Sequence, residues 1–140
     1  WAAWKHPAFN YKFDAIVYCV TSALGFAAIE NVLYCLGGDF GTAVTRALLS
    51  VPSHAIDGVL MGYFFGVAKE AELAGDKKRR KRYLKLSVFM PMIEHGIYDS
   101  ALSLDADWIF VFFFLFVIVV DVWAYKFVKK QSGQDRELSA

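Results

Sequence analysis

Two histidines and a set of carboxylates stand inside stretches that are otherwise apolar: Glu30, His54, Asp57, Glu94, His95 and Asp99. An ionisable side chain in hydrocarbon is expensive unless it is paired or faces a cavity, so such positions are kept for a reason. Residues four apart share a helix face. Phe26, Glu30 and Tyr34 therefore form one stripe, His54 and Asp57 a second, His95 and Asp99 a third. Neutral imidazole and carboxylate oxygen both bind Zn²⁺, which makes Glu30, His54 and His95 the candidate metal ligands, with Asp99 orienting or joining them. The same four residues also suit acid–base catalysis without a metal, a carboxylate acting as base and the histidines stabilising an oxyanion. Each has a plainer reading. Glu30 can pair with Arg46 as a structural ion pair, either histidine can be an interhelical hydrogen bonder, and Asp57 can orient His54 or bond a backbone group. Glu94 lies about 100° around a helix from His95 and is expected to face elsewhere.

Positioning these residues requires membrane-spanning helices. Hydrophobic residues make up 57% of the 140-residue chain, above the roughly 45–50% of soluble domains. Residues 108–120 read WIFVFFFLFVIVV without a charge, and a chain this small has no soluble core in which to hide several such helices. The first span is read over 13–36, ending at the Gly-Gly-Asp-Phe-Gly turn of 37–41. The next apolar stretch is interrupted by Pro52, so a short helix over 42–50 is expected to precede a span starting near the proline. A basic loop at 75–82 leads to a third span over 83–104 and a fourth over 108–128, followed by a polar tail. Gly58, Gly62 and Gly66 repeat every four residues and mark a close helix-packing face. The expected fold is all-α: a single-domain polytopic bundle over residues 1–140 with about four transmembrane helices and a short helix before Pro52. The opening WAAWKHPAF reads as the tail of an earlier helix and then a loop, so a further helix is expected upstream.

All of the 15 basic residues except Arg46 fall on one side of this arrangement, which places both termini in the cytoplasm of a multi-pass cell-membrane protein. Glu30 then sits about 9 Å, His95 about 13 Å and Asp99 about 8 Å from the outer ends of their spans, and His54 lies in the first turn of its own. Four polar residues on three helices share one outer-leaflet layer. A net charge of +1 gives no reason to expect a nucleic-acid partner. Cys19 and Cys35 lie some 24 Å apart on one helix, too far for a disulfide.

At these residues the sequence resembles the PrsW family of intramembrane proteases. The resemblance runs from about Phe9 to Leu102, through FNYKFDAIVY and GFAAIENVLY, RALLSVPSHAIDGVLMGYFFGVAK, and EHGIYDSAL. It matches a Phe-x-x-x-Glu element to Phe26 and Glu30, the family's second-helix histidine to His54, and its His-Gly element to His95 and Gly96, with Asp99 completing His-x-x-x-Asp. It implies an endopeptidase that cuts membrane-anchored protein substrates near the outer face, in the manner of anti-sigma-factor proteases. Zn²⁺-dependent and glutamate-type mechanisms both remain open within it. The family also carries a Glu-Glu-x-x-Lys motif on a helix before the FNYKFDAIVY region, and this chain does not contain it, so the chain alone is expected to be inactive. The alternative is a non-enzymatic membrane scaffold or ion-binding carrier that uses the same polar layer.

Overall fold

A computed structural model describes residues 2–103 and 107–138. Five α-helices account for most of them: α1 (Asp14–Gly37), α2 (Phe40–Thr45), α3 (Val51–Leu73), α4 (Lys77–Ser103) and α5 (Asp107–Gly133). α3 is the central element, packed along α1 on one side and α4 on the other, with a smaller contact to α5.

The α1–α3 seam is built on the glycine repeat. A Cβ on Gly58 would stand 2.6 Å from the Cα of Val20, one on Gly62 2.4 Å from the Cα of Ile16, and one on Gly66 2.9 Å from the carbonyl of Lys12. Only hydrogen fits at these three positions, and the two backbones touch. The contacts step back along α1 as they advance along α3, so the helices run antiparallel. Elsewhere α1 shows lipid-type side chains outward, among them Phe26, Ile29, Leu33 and Leu36.

The short helix expected before Pro52 is α2, and the span expected to start near the proline is α3. The chain stays helical between them, running from α2 through a π turn, Arg46–Ser50, directly into α3. Pro52 has no N–H for the carbonyl of Leu48, and its ring presses on that group. Widening the preceding turn relieves both problems, and the Val51 N–H reaches back five residues to the Arg46 carbonyl. At its other end α2 is capped by Asp39, whose side chain accepts from the Thr42 N–H at 2.8 Å. That hydrogen bond holds the Asp39 carboxyl below its ordinary pKa.

Among the described residues, three helical stretches are long and apolar enough to cross a membrane: Asp14–Gly37, Phe40–Leu73 and Val111–Gly133. The expected third span falls within α4, which is not among them. Its first turns carry the run from Lys77 to Lys85, and its second half holds Glu94, His95 and Asp99. α4 nonetheless lies along α3 between the apolar helices, with Ser87 and Tyr98 buried. The expected outer loop at 104–107 falls largely outside the described residues.

At the other end of the bundle, the opening segment is a 3-10 turn, Ala2–Lys5, and a loop. Trp4 and Phe9 bury their rings against Phe65 of α3. The tail after α5 is anchored there: Leu138 N–H donates to the Asn10 carbonyl at 2.7 Å and Lys12 N–H to the Arg136 carbonyl at 3.2 Å. Glu70 of α3 ties both segments together through Lys12 at 3.1 Å and Arg136 at 2.6 Å.

Candidate metal centre

The polar residues of α1, the π turn, α3 and α4 meet at one level and form a continuous relay. Arg46 starts it. Its Nη2 donates to Glu30 Oε2 at 2.7 Å and to Ser50 Oγ at 3.1 Å, while Nε donates to Asn31 Oδ1 at 2.7 Å. The guanidinium also stacks 3.9 Å from the ring centre of Tyr34. The same Glu30 oxygen lies 2.9 Å from His54 Nε2. On the other edge of that imidazole, Nδ1 faces Asp57 Oδ2 at 4.0 Å. Asp57 Oδ2 in turn lies 2.9 Å from His95 Nδ1, and His95 Nε2 lies 3.4 Å from Asp99 Oδ2. The two imidazole centres are 5.1 Å apart.

Local sequence explains each placement. His54 and Asp57, three apart, share the face of α3 that looks between α1 and α4, and both are buried. His95 belongs to an α4 stripe that includes Pro91 and Tyr98, both turned inward. Phe26, one turn before Glu30, sets its ring edge-on to His54 with centres 5.6 Å apart. A cavity of about 440 Å³ opens beside the relay, lined by Glu30, Arg46, His54, His95, Tyr98 and Asp99 among others.

All four site residues expected from sequence are therefore neighbours: Glu30 and His54 in direct contact, His54 and His95 across Asp57, His95 and Asp99 at the rim. Two residues contribute more than the sequence reading gave them. Asp57 does not merely orient His54; it stands between both histidines. Glu94 does not face elsewhere: its carboxyl lies against that of Asp57. The signal for Glu94 was available, since 87, 91, 94, 95 and 98 follow helical spacing on the face that packs on α3.

The chemistry of this donor set fits a divalent cation. His54, Asp57 and His95 each offer one ligand atom, and the three atoms lie within 4.8 Å of one another. A neutral imidazole donates from only one nitrogen, yet His95 has a carboxylate on each. Asp57 Oδ1 and Glu94 Oε2 are buried with no hydrogen-bond partner among the described residues. Among the described residues, four carboxylates, of Glu30, Asp57, Glu94 and Asp99, gather around the two histidines, and only Glu30 is paired with the Arg46 guanidinium. A cation held by the inner Nδ1 atoms and Asp57 would leave each Nε2–H directed at its outer carboxylate, Glu30 or Asp99, the carboxylate–histidine pairing usual at zinc sites.

A family profile described as "PrsW family intramembrane metalloprotease" matches residues 1–125. Among curated proteins, Protease PrsW of Halalkalibacterium halodurans is 48% identical over 102 residues, covering 73% of this chain and 45% of the relative. Protease PrsW of Geobacillus kaustophilus is 43% identical, covering 75% of this chain and 44% of the relative. Protease PrsW of Bacillus subtilis is 40% identical over 109 residues, 78% of this chain and 48% of the relative. The chain thus spans about half the length of the curated relatives it matches. No solved structure matches it. The family match over residues 1–125 and this extent of sequence identity, on a chain whose helices bring two histidines and several carboxylates into one layer, establish that the chain belongs to the PrsW family of intramembrane metalloproteases.

Proposed function

We propose that this chain carries the metal-binding portion of an intramembrane endopeptidase acting on membrane-anchored protein substrates. His54, Asp57 and His95 hold the metal, which the nitrogen and oxygen donors suit to Zn²⁺. Glu30 and Asp99 fix the two imidazoles from behind. The observation that carries this reading is the convergence of three ligand atoms from α3 and α4 within 4.8 Å. Relative to the ligand set expected from sequence, Asp57 takes the place of Glu30, because the Glu30 oxygen nearest His54 is already shared with Arg46.

When bound, the metal would polarise the scissile carbonyl and acidify an attacking water. The chain's own residues do the rest of what is readable. The cavity of about 440 Å³ beside the relay exposes His54 and His95 to an incoming substrate segment. Apolar helices keep bulk water away, which strengthens every electrostatic contact inside. The basic residues gathered at the opposite end of the bundle set both termini in the cytoplasm and the relay toward the outer face of the cell membrane. Cleavage of anti-sigma-factor-type substrates near that face follows from the family pattern.

The test is zinc retention. After exposure to Zn²⁺ and dialysis, the purified chain in detergent should retain about one ion per molecule by elemental analysis. His54→Ala, Asp57→Ala and His95→Ala should each empty it. Failure of the unaltered chain to retain zinc, or equal retention by the His54→Ala and His95→Ala variants, would overturn the reading.

A further inference from the structure

We infer that Arg46 is a positioning residue of the metal centre, delivered to it by the π turn. This rests on the metal-binding reading above and extends it to a residue that touches no proposed ligand atom directly.

The argument begins with helix register. In an unbroken α-helix, eight residues turn through about 800°, which leaves positions 46 and 54 about 80° apart on the surface. A π turn absorbs one extra residue into a single turn, so the same interval counts as seven steps and the two side chains come within about 20°. The π turn is Arg46–Ser50 itself. It brings Arg46 onto the His54 face, and both side chains then reach the same oxygen, Glu30 Oε2, at 2.7 and 2.9 Å.

Arg46 is also held from several directions. Asn31 and Ser50 take two of its hydrogen bonds, and Tyr34 covers its face. A guanidinium pinned in this way holds the Glu30 carboxylate in one place. That carboxylate accepts and cannot donate, so it selects the His54 tautomer that carries its proton on Nε2. The Nδ1 lone pair is then presented to Asp57 and the cation position. Outer partners of this kind are worth about 10–100-fold in metal affinity.

Two measurements test this. Co²⁺ affinity, read from visible absorption of the chain in detergent, should fall about 10–100-fold for Arg46→Ala and for Glu30→Gln. The double variant should be no weaker than the weaker single, because both act through one hydrogen bond. Arg46→Lys, which keeps charge without the fork, should lie between. Deleting Leu48, which is exposed, should regularise the turn and mimic Arg46→Ala. Separately, ¹⁵N chemical shifts of His54 in the metal-free chain should report the Nε2–H tautomer, and Arg46→Ala should mix the two tautomers. Multiplicative losses in the double variant, unchanged affinity in Arg46→Ala, or an unchanged His54 tautomer would overturn the inference. A chain that takes up no Co²⁺ but loses its tautomer preference in Arg46→Ala would instead retire the metal reading and leave the positioning role standing.

Discussion

Replacing Gly58 by alanine tests whether the helix seam sets the geometry of the site. The new Cβ would stand 2.6 Å from the Cα of Val20 and 2.9 Å from its nitrogen. Both are backbone atoms and cannot rotate away. Ordinary contact begins near 3.4 Å, so the two helices must part by about 0.8 Å at that level. Gly58 lies one turn from His54. If α1 moves as a rigid rod, the Glu30–His54 contact of 2.9 Å stretches to about 3.7 Å, beyond a useful hydrogen bond. Overpacking of this kind costs about 1–3 kcal/mol. The expected outcome is a lower Tm in detergent together with at least tenfold weaker zinc retention, as for loss of an outer partner of the metal. Gly25→Ala is the control: nothing lies within 4 Å of its Cβ, and it should leave both quantities unchanged. A Gly58→Ala protein with unaltered Tm and zinc affinity would show that α1 and α3 are not in backbone contact and that the relay does not depend on their spacing.

Other outcomes follow from the same geometry. Glu94→Gln places an amide donor beside the Asp57 carboxyl and should stabilise the metal-free chain by about 1 kcal/mol, read as a higher midpoint in thermal or denaturant unfolding; a lower midpoint would contradict the facing of Glu94 and Asp57. The Asp39 carboxyl, lowered in pKa by the Thr42 N–H, caps α2 fully above the unfolded-state pKa and loses the cap as pH falls through the lower folded-state value. Protection of the Thr42 amide from hydrogen exchange, relative to its intrinsic rate at each pH, should therefore fall in that acid window, and Asp39→Asn should remove that fall. With Cys19 and Cys35 replaced, a cysteine at position 39 should react with an impermeant reagent from outside the cell, whereas one at position 75 should react only from inside; the reverse pattern would invert the topology.

Much of this arrangement is legible in sequence because membrane burial makes polar residues conspicuous. Glu30, His54, His95 and Asp99 stand out against apolar neighbours, and helical spacing puts them on facing stripes. The glycine repeat at 58, 62 and 66 announces the seam with α1. What sequence does not carry is rotation across an irregular turn. Pro52 signals a disturbance, but not whether the chain breaks or widens, and the answer decides where Arg46 points. Nor does spacing alone rank carboxylates: Asp57 and Glu30 are equally plausible ligands until Arg46 is seen to occupy Glu30. An angle of about 100° between Glu94 and His95 separates them only if His95 is the centre of its stripe, whereas the inward face of α4 runs between them. The count of spans is a matter of charge density. α4 has the length of a spanning helix, but its basic first turns and its three ionisable residues at 94, 95 and 99 dilute its hydropathy.

That dilution has a physical counterpart in the way α4 is held. Glu94 and His95 of this helix turn toward α3, where Asp57 meets both, while Asp99 stays at the exposed rim beside His95 Nε2. α3 can accept this traffic on one side only because its other side is committed to α1 through bare glycine backbone. The two seams divide the labour: the glycine contact sets distance and admits no side-chain adjustment, while the polar contact sets chemistry. Substitutions on the outward surface of α1, at Ile29 or Leu33, touch neither seam and leave the relay intact. Those at Gly58 or Gly62 meet only the α1 backbone, and should alter the relay without touching any of its side chains. A site built this way is tuned by backbone spacing, and its tolerance to mutation should track distance from the two seams rather than distance from the metal position.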